Sequence, residues 1–186
     1  MTSIMLSIQP NWCTEIAEGK KTIEVRKTRP NIEIPFKVYI YCTRPYTGST
    51  DDNFYIYQDD TPKKVNGTVI GEFVCDRIDE VIPDYNPITK KFMYGNVYNL
   101  ESTCLENEQC QEYGKGKPLY GWHITDLKIY DKPKELSEFK KAGFMTEEEW
   151  LFNLYPNTHC HYEAWAKRFE INKPPRSWCY VQELTT

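Results

Sequence analysis

The sequence predicts an α+β fold that is mainly β, a small mixed β-barrel with peripheral and inserted helices. Three observations predict it. Six or so short runs have the β-branched and aromatic composition of strands. One helical pattern comes early, and the other helical patterns come late. Strands and helices also fail to alternate in the βαβ rhythm of a doubly wound sheet. At 186 residues the chain suits one core of ordinary size, so residues 1–186 read as a single domain.

The first strand is Ile4-Met5-Leu6-Ser7-Ile8, closed by Gln9-Pro10. Pro10 fits the first turn of a helix, where its missing N–H costs nothing. Trp12, Cys13, Ile16 and Ala17 then recur at helical spacing, and Gly19 stands where a left-handed C-cap is expected. Residues 21–29 read as a second strand stopped by Pro30, and 36–43 as a third, whose apolar and aromatic composition predicts a central place. Residues 44–66 change to Gly, Ser, Thr, Asp, Pro and Lys around a Phe54-Tyr55-Ile56-Tyr57 island, which predicts an exposed insertion built as a hairpin. Strand character returns over 67–78, where Gly67 and Gly71 predict a bulge or a close backbone approach.

Residues 81–97 read as loop with a short strand. Asn99 is placed to cap a helix over 100–113, ending in Gly114-Lys115-Gly116-Lys117-Pro118. A strand follows over 119–130, then a polar turn with a short helix over 133–141. Thr146-Glu147-Glu148-Glu149 is a capping signature for a helix running to Pro156, and a second helical piece spans 162–169. Residues 144–170 thus form a second insertion. Ser177-Trp178-Cys179-Tyr180-Val181 supplies the last strand.

The net charge of -4 argues against coating nucleic acid by bulk electrostatics, so any polyanion contact must be a local cationic cleft. Fourteen Tyr and five Trp supply flat surfaces on which a base can stack. The seven cysteines are odd in number and scattered, as expected of reduced thiols in a cytoplasmic protein. Cys104 with Cys110, and Cys160 between His159 and His161, lack the spacing of a zinc site. No metal or cofactor is expected, and no run approaches a membrane span or a secretory signal.

The densest chemistry is Gly19-Lys20-Lys21-Thr22-Ile23-Glu24-Val25-Arg26. It lies at a helix-to-strand junction. A regular strand there sets Thr22, Glu24 and Arg26 on one face and Ile23 and Val25 on the other. An apolar core has no use for such a face, which reads as the floor of a cleft.

Together with Leu6-Ser7-Ile8-Gln9-Pro10, the strand Phe36 to Thr43, Gly71-Glu72-Phe73, Tyr120-Gly121-Trp122-His123-Ile124 and the closing Ser177 to Val181 segment, this junction resembles the ASCH domains of the PUA-like superfamily. It fits the family's G-x-K-x-x-E-x-R pattern at every fixed place. The resemblance implies a β-barrel whose cleft takes RNA, single-stranded in the expected case, or a modified pyrimidine nucleoside. Some small members resemble amidohydrolases that remove an acyl group from N4-acetylcytidine, using a lysine, a threonine and a later glutamate. Carried over, the lysine is Lys21 and the glutamate Glu72, whereas Glu24 occupies the place of the threonine. A carboxylate there activates water as a general base, with Lys21 or Arg26 stabilising the oxyanion, and Thr22 is a substitute nucleophile. A third reading, a ribonuclease, uses Lys21, a cation and the acidic pair Glu24 and Glu72.

The candidate catalytic residues are therefore Lys21, Glu24, Glu72 and Thr22. The candidate binding residues are Lys20, Lys21, Arg26, Trp122, Lys115, Lys117 and Trp178, with Tyr41, Tyr94 and Tyr98 weaker. Each has a plainer structural reading. Lys21, Glu24 and Arg26 make an ion-pair ladder, Glu72 pairs with Arg26, the tryptophans fill the core, Lys115 and Lys117 stand in a solvated turn, and His123 is a half-buried strand histidine.

Overall fold

The computed structural model describes residues 1–44, 53–58, 61–94, 100–153 and 159–184. Strand β1 (Thr2–Ile8) is buried from Ser3 onward, consistent with its unbroken apolar run. Helix α1 (Pro10–Ala17) follows with Pro10 at its start and Cys13 and Ile16 inward. Gly19 takes a left-handed φ of 72°, and the amides of Gly19, Lys20 and Lys21 return to the carbonyls of Ile16 and Glu15. That closure aims the chain into β2 (Ile23–Arg26), a shorter strand than expected.

Strand β3 (Phe36–Cys42) is central, as its composition suggested, lying between β1 and a later strand. In the first insertion, β4 (Tyr55–Gln58) and β5 (Thr61–Lys64) make the expected hairpin; residues 45–52, 59 and 60 of it lie outside the described residues. Strand β6 (Val69–Cys75) ends earlier than expected and the chain re-forms as β7 (Ile78–Val81). Gly71 sits against a register shift, where a Cβ would stand 2.4 Å from the Lys128 carbonyl oxygen. The close approach expected there is real.

A small hairpin of β8 (Asp84–Asn86) and β9 (Lys91–Met93) occupies part of the expected loop. The single helix expected over 100–113 is two, α2 (Leu100–Thr103) and α3 (Asn107–Gly114). Between them Cys104 adopts a φ of 53°, the Thr103 hydroxyl accepts the Leu105 amide, and Glu106 with Gln109 forms a capping box for α3. Asn99 and Tyr98 lie outside the described residues.

The strand expected over 119–130 also divides, into β10 (Leu119–His123) and β11 (Thr125–Lys134). They belong to different sheets because the Ile124 amide turns aside to the Thr22 carbonyl. A 3-10 turn at Leu136–Glu138 follows. Helices α4 (Glu147–Asn153) and α5 (His159–Ala166) carry the second insertion, with the Thr146 and Glu149 capping box in place. Its expected end at Pro156 lies outside the described residues. Strand β12 (Trp178–Gln182) is last.

The fold is mainly β within the α+β class. Five strands form one sheet in the order β11-β6-β3-β1-β12, and β2-β10-β7 form a second. Among the described strands the ladder does not close into a barrel. Side chains bridge the two sheets instead: Arg26 Nη2 of β2 donates to the Ser7 carbonyl of β1 at 2.7 Å, and Trp178 Nε1 of the last strand donates to Thr28 Oγ1, just beyond β2, at 3.0 Å.

The main core lies between the two sheets, with Ile4, Leu6, Val38, Ile40, Phe73 and Trp122 fully buried. A second cluster around Tyr39 and Phe139 covers the far face of the five-stranded sheet. The third cluster sets Ile23, Val25 and Leu119 against Tyr94, just after β9, and Cys110 of α3. Alternation along β2 therefore sends Ile23 and Val25 outward to α3. Glu24 and Arg26, opposite Trp122 and Tyr120, face the space between the sheets.

Candidate functional site

Two charged residues on the inner face of a strand need compensation, because an isolated buried charge costs several kcal/mol. The compensation here is mutual. Arg26 Nη2 donates to Glu24 Oε1 at 2.9 Å, and Lys21 Nζ stands 3.5 Å from Glu24 Oε2. Lys21 also donates to the Thr103 carbonyl at the end of α2. All three are buried, Lys21 at 2% exposed, Glu24 at 5% and Arg26 at 8%, so this is no surface ion-pair ladder.

Two polar atoms of this group remain without a hydrogen bond among the described residues, Glu24 Oε2 and Arg26 Nε. Both belong to side chains lining a cleft of about 640 Å³. Its other walls come from Ser7, Gln9 and Trp12 at the start of α1, Gln109 and Tyr113 of α3, and the 174–177 segment with Arg176. The Trp12 ring lies 5.0 Å from Lys21 Nζ, and the Tyr113 ring 4.4 Å from Lys27 Nζ. The cleft therefore has an ionic floor and aromatic sides. Burial raises the Tyr113 phenol above its ordinary pKa, a shift that the nearby Arg26 guanidinium opposes. Behind the floor, burial holds the Cys13 thiol well above its ordinary value, so it stays protonated.

Of the residues singled out in the sequence, Lys21, Glu24 and Arg26 meet in this cleft. The others do not. Thr22 precedes the regular strand and its side chain is exposed, so it does not share the face of Glu24 as a longer strand would require. Lys20 points to solvent and pairs with Glu18 at 2.6 Å. Glu72 lies opposite Tyr39 on the far face of the five-stranded sheet. There it accepts from the Tyr130 hydroxyl at 2.5 Å and pairs with Lys37 at 3.6 Å, not with Arg26. Glu24 and Glu72 thus do not converge as an acidic pair, because the sheet separates them.

Trp122 is fully buried, edge-on to Phe36, and offers no free face for stacking. Trp178 is half-buried beside Trp122 and Tyr180 and is tied to Thr28. Lys115 and Lys117 stand in a turn held by Tyr94, whose hydroxyl donates to the Lys117 carbonyl and accepts the Gly116 amide. Tyr41 is buried and lines a neighbouring pocket. His123 is partly buried, with Nε2 2.7 Å from Asp79 Oδ2.

Sequence reasoning missed Trp12, Gln109, Tyr113 and Arg176 as walls. Trp12 looked like core because it sits on the apolar stripe of α1, and the helix break at Cys104 that turns Tyr113 toward β2 has no signature of its own. No group of three His, Cys, Asp or Glu side chains suited to a metal occurs among the described residues. No helix among them is long and apolar enough to cross a membrane.

Solved structures with the same fold include ASCH from Zymomonas mobilis, 19% identical, with a TM-score of 0.53 over 97% of this chain and 88% of that one. A tyrosine-to-phenylalanine mutant of that protein is 19% identical, with a TM-score of 0.53 over 97% and 91%. No curated protein matches the sequence. The family model described as the ASCH domain matches residues 6–174, nearly the whole chain, and the chain belongs to the ASCH domain family.

Proposed function

We propose that the cleft binds a nucleoside, as a free modified pyrimidine nucleoside or as a base within single-stranded RNA. The observation that carries this reading is the unfilled hydrogen-bonding capacity of the buried floor. Glu24 Oε2 has the Lys21 ammonium at 3.5 Å but no hydrogen bond, and Arg26 Nε has none either among the described residues, yet both sit in a cleft walled by Trp12 and Tyr113. Buried polar groups are ordinarily paired, so the missing partners belong to a ligand or to water that a ligand displaces. The edge of a pyrimidine offers a donor and an acceptor side by side, and its faces suit aromatic walls.

A second reading, an amidohydrolase acting on N4-acetylcytidine or a related acylated base, draws on the same carboxylate. Glu24 Oε2, which has no hydrogen bond among the described residues, takes a proton from water while the hydroxide attacks the acyl carbon, with Lys21 beside it stabilising the oxyanion. The C–N bond then breaks, the amine leaves with the proton from Glu24, and the acid is released. This route needs neither Thr22 nor Glu72.

One experiment addresses both readings. Calorimetric titration with cytidine, N4-acetylcytidine and a single-stranded RNA oligomer is expected to show saturable binding. Trp12→Ala should weaken it by about 1–3 kcal/mol. Equal and negligible affinity of wild type and Lys21→Ala for every ligand would overturn the binding reading. Chromatography of the N4-acetylcytidine sample decides the second: release of cytidine that disappears in Glu24→Gln supports it, and no release removes it.

A further inference from the structure

A second pocket, of about 570 Å³, adjoins the cleft, and Thr43 and Pro174 line both. Its chemistry differs from that of the cleft. The cleft has aromatic sides, whereas the residues lining the pocket include Arg44, Tyr41, Ser137 and Asn172. All of these can donate hydrogen bonds. The one carboxylate in the lining, Glu135, already accepts the Glu138 amide as the cap of the 3-10 turn. Arg44 forms no ion pair among the described residues.

Gly67 leaves room for the Arg44 side chain. That side chain lies across Gly67, where a Cβ would stand 2.6 Å from Arg44 Nε, and Gly67 has a φ of 89° that suits glycine. The Gly67 amide donates to the Cys42 carbonyl at 2.7 Å, which fixes this turn to the end of β3. A guanidinium in a pocket whose other lining residues carry hydroxyl and amide donors is suited to an oxyanion with several acceptor oxygens.

We infer that the Arg44 pocket is a phosphate subsite, so that the site takes a nucleotide with its base in the cleft and its phosphate across the Thr43 and Pro174 boundary. The inference rests on the cleft taking a nucleoside. The phosphate is either the terminal monoester of a free nucleotide or the diester of a strand, and both would meet the same donors.

The test is calorimetric titration of wild type, Arg44→Ala and Arg44→Lys with cytidine, cytidine 5′-monophosphate, cytidine 3′-monophosphate and the dinucleotide cytidylyl-cytidine, at low and near-physiological salt. At least one phosphorylated ligand should bind roughly tenfold tighter than cytidine, by a margin that shrinks with salt. Arg44→Ala should erase the margin and Arg44→Lys restore part of it. Arg44 is exposed, so neither change should shift the unfolding midpoint. A margin confined to the mononucleotides identifies a free nucleotide; one that extends to the dinucleotide identifies a strand. No margin in wild type, or one that survives in Arg44→Ala, overturns the subsite and leaves cytidine binding in the cleft intact. Failure of the cleft reading looks different: wild type then binds none of the four, and the subsite falls with it.

Discussion

Glu24 joins Lys21 and Arg26 into one unit, and its removal leaves two buried cations without their shared carboxylate. Breaking a buried pair in this way costs about 3–5 kcal/mol, mostly from the desolvated charge left behind. Glu24→Ala is therefore expected to lower the unfolding free energy measured in urea by that amount at unchanged m-value, and a cost below about 1 kcal/mol would mean that the floor is wetter than its burial implies. This site was half legible in the sequence. The alternation Ile23, Glu24, Val25, Arg26 announced a charged face, because the period of a strand is fixed at two. Which side chains share that face was not legible at its edge: the strand begins at Ile23, so Thr22 falls outside the alternation. Glu72 was misjudged for a different reason, since strand order alone decides which face of a sheet meets which neighbour, and no local pattern encodes that order.

At the scale of the element, β6 and β11 approach so closely at Gly71 that a methyl group would press on a backbone carbonyl, which cannot swing aside as a side-chain end can. Gly71→Ala should destabilise the protein by about 1–3 kcal/mol, read by tryptophan fluorescence during denaturation. A neutral outcome would show that the two strands can separate at the register shift. Gly71 was visible in the sequence because a glycine inside an otherwise β-branched run marks a bulge or a close backbone approach. The division of 119–130 into β10 and β11 was not. Its cause is a single amide, that of Ile124, which leaves the ladder for the Thr22 carbonyl. Neither composition nor period encodes so distant a contact. The break between α2 and α3 is similar, since the left-handed turn falls on a cysteine rather than a glycine.

For the molecule as a whole, the buried thiols tie stability to alkaline pH. Burial pushes Cys75 up to about 12 from an ordinary value of 9.0, and pushes Cys13 up as well. Between the unfolded and folded values the native state holds protons that the unfolded chain has released. Stability contributed by these thiols is therefore complete below about pH 8.5 and is lost as pH rises toward the folded value. Urea midpoints measured from neutral pH to strongly alkaline pH should fall, with a shallower fall in Cys75→Ala; an identical slope in the variant would exclude the Cys75 contribution. The mainly β class and the central place of β3 were legible because both follow from composition. That the two sheets stay unjoined by backbone among the described strands was not, because closure depends on whether the edge strands meet through backbone or through side chains such as Arg26 and Trp178.

The pairing of β1 with β12 has one more consequence, for synthesis on the ribosome. Strand β1 emerges long before β12, yet Ser3, Ile4, Met5 and Leu6 face partners from Trp178 onward. Until β12 is made, the apolar β1 keeps an unpaired edge on a nascent chain, the condition in which strands recruit the wrong neighbour. The five-stranded sheet is thus completed only after translation has passed β12, a pairing of high sequence separation of the kind that slows folding.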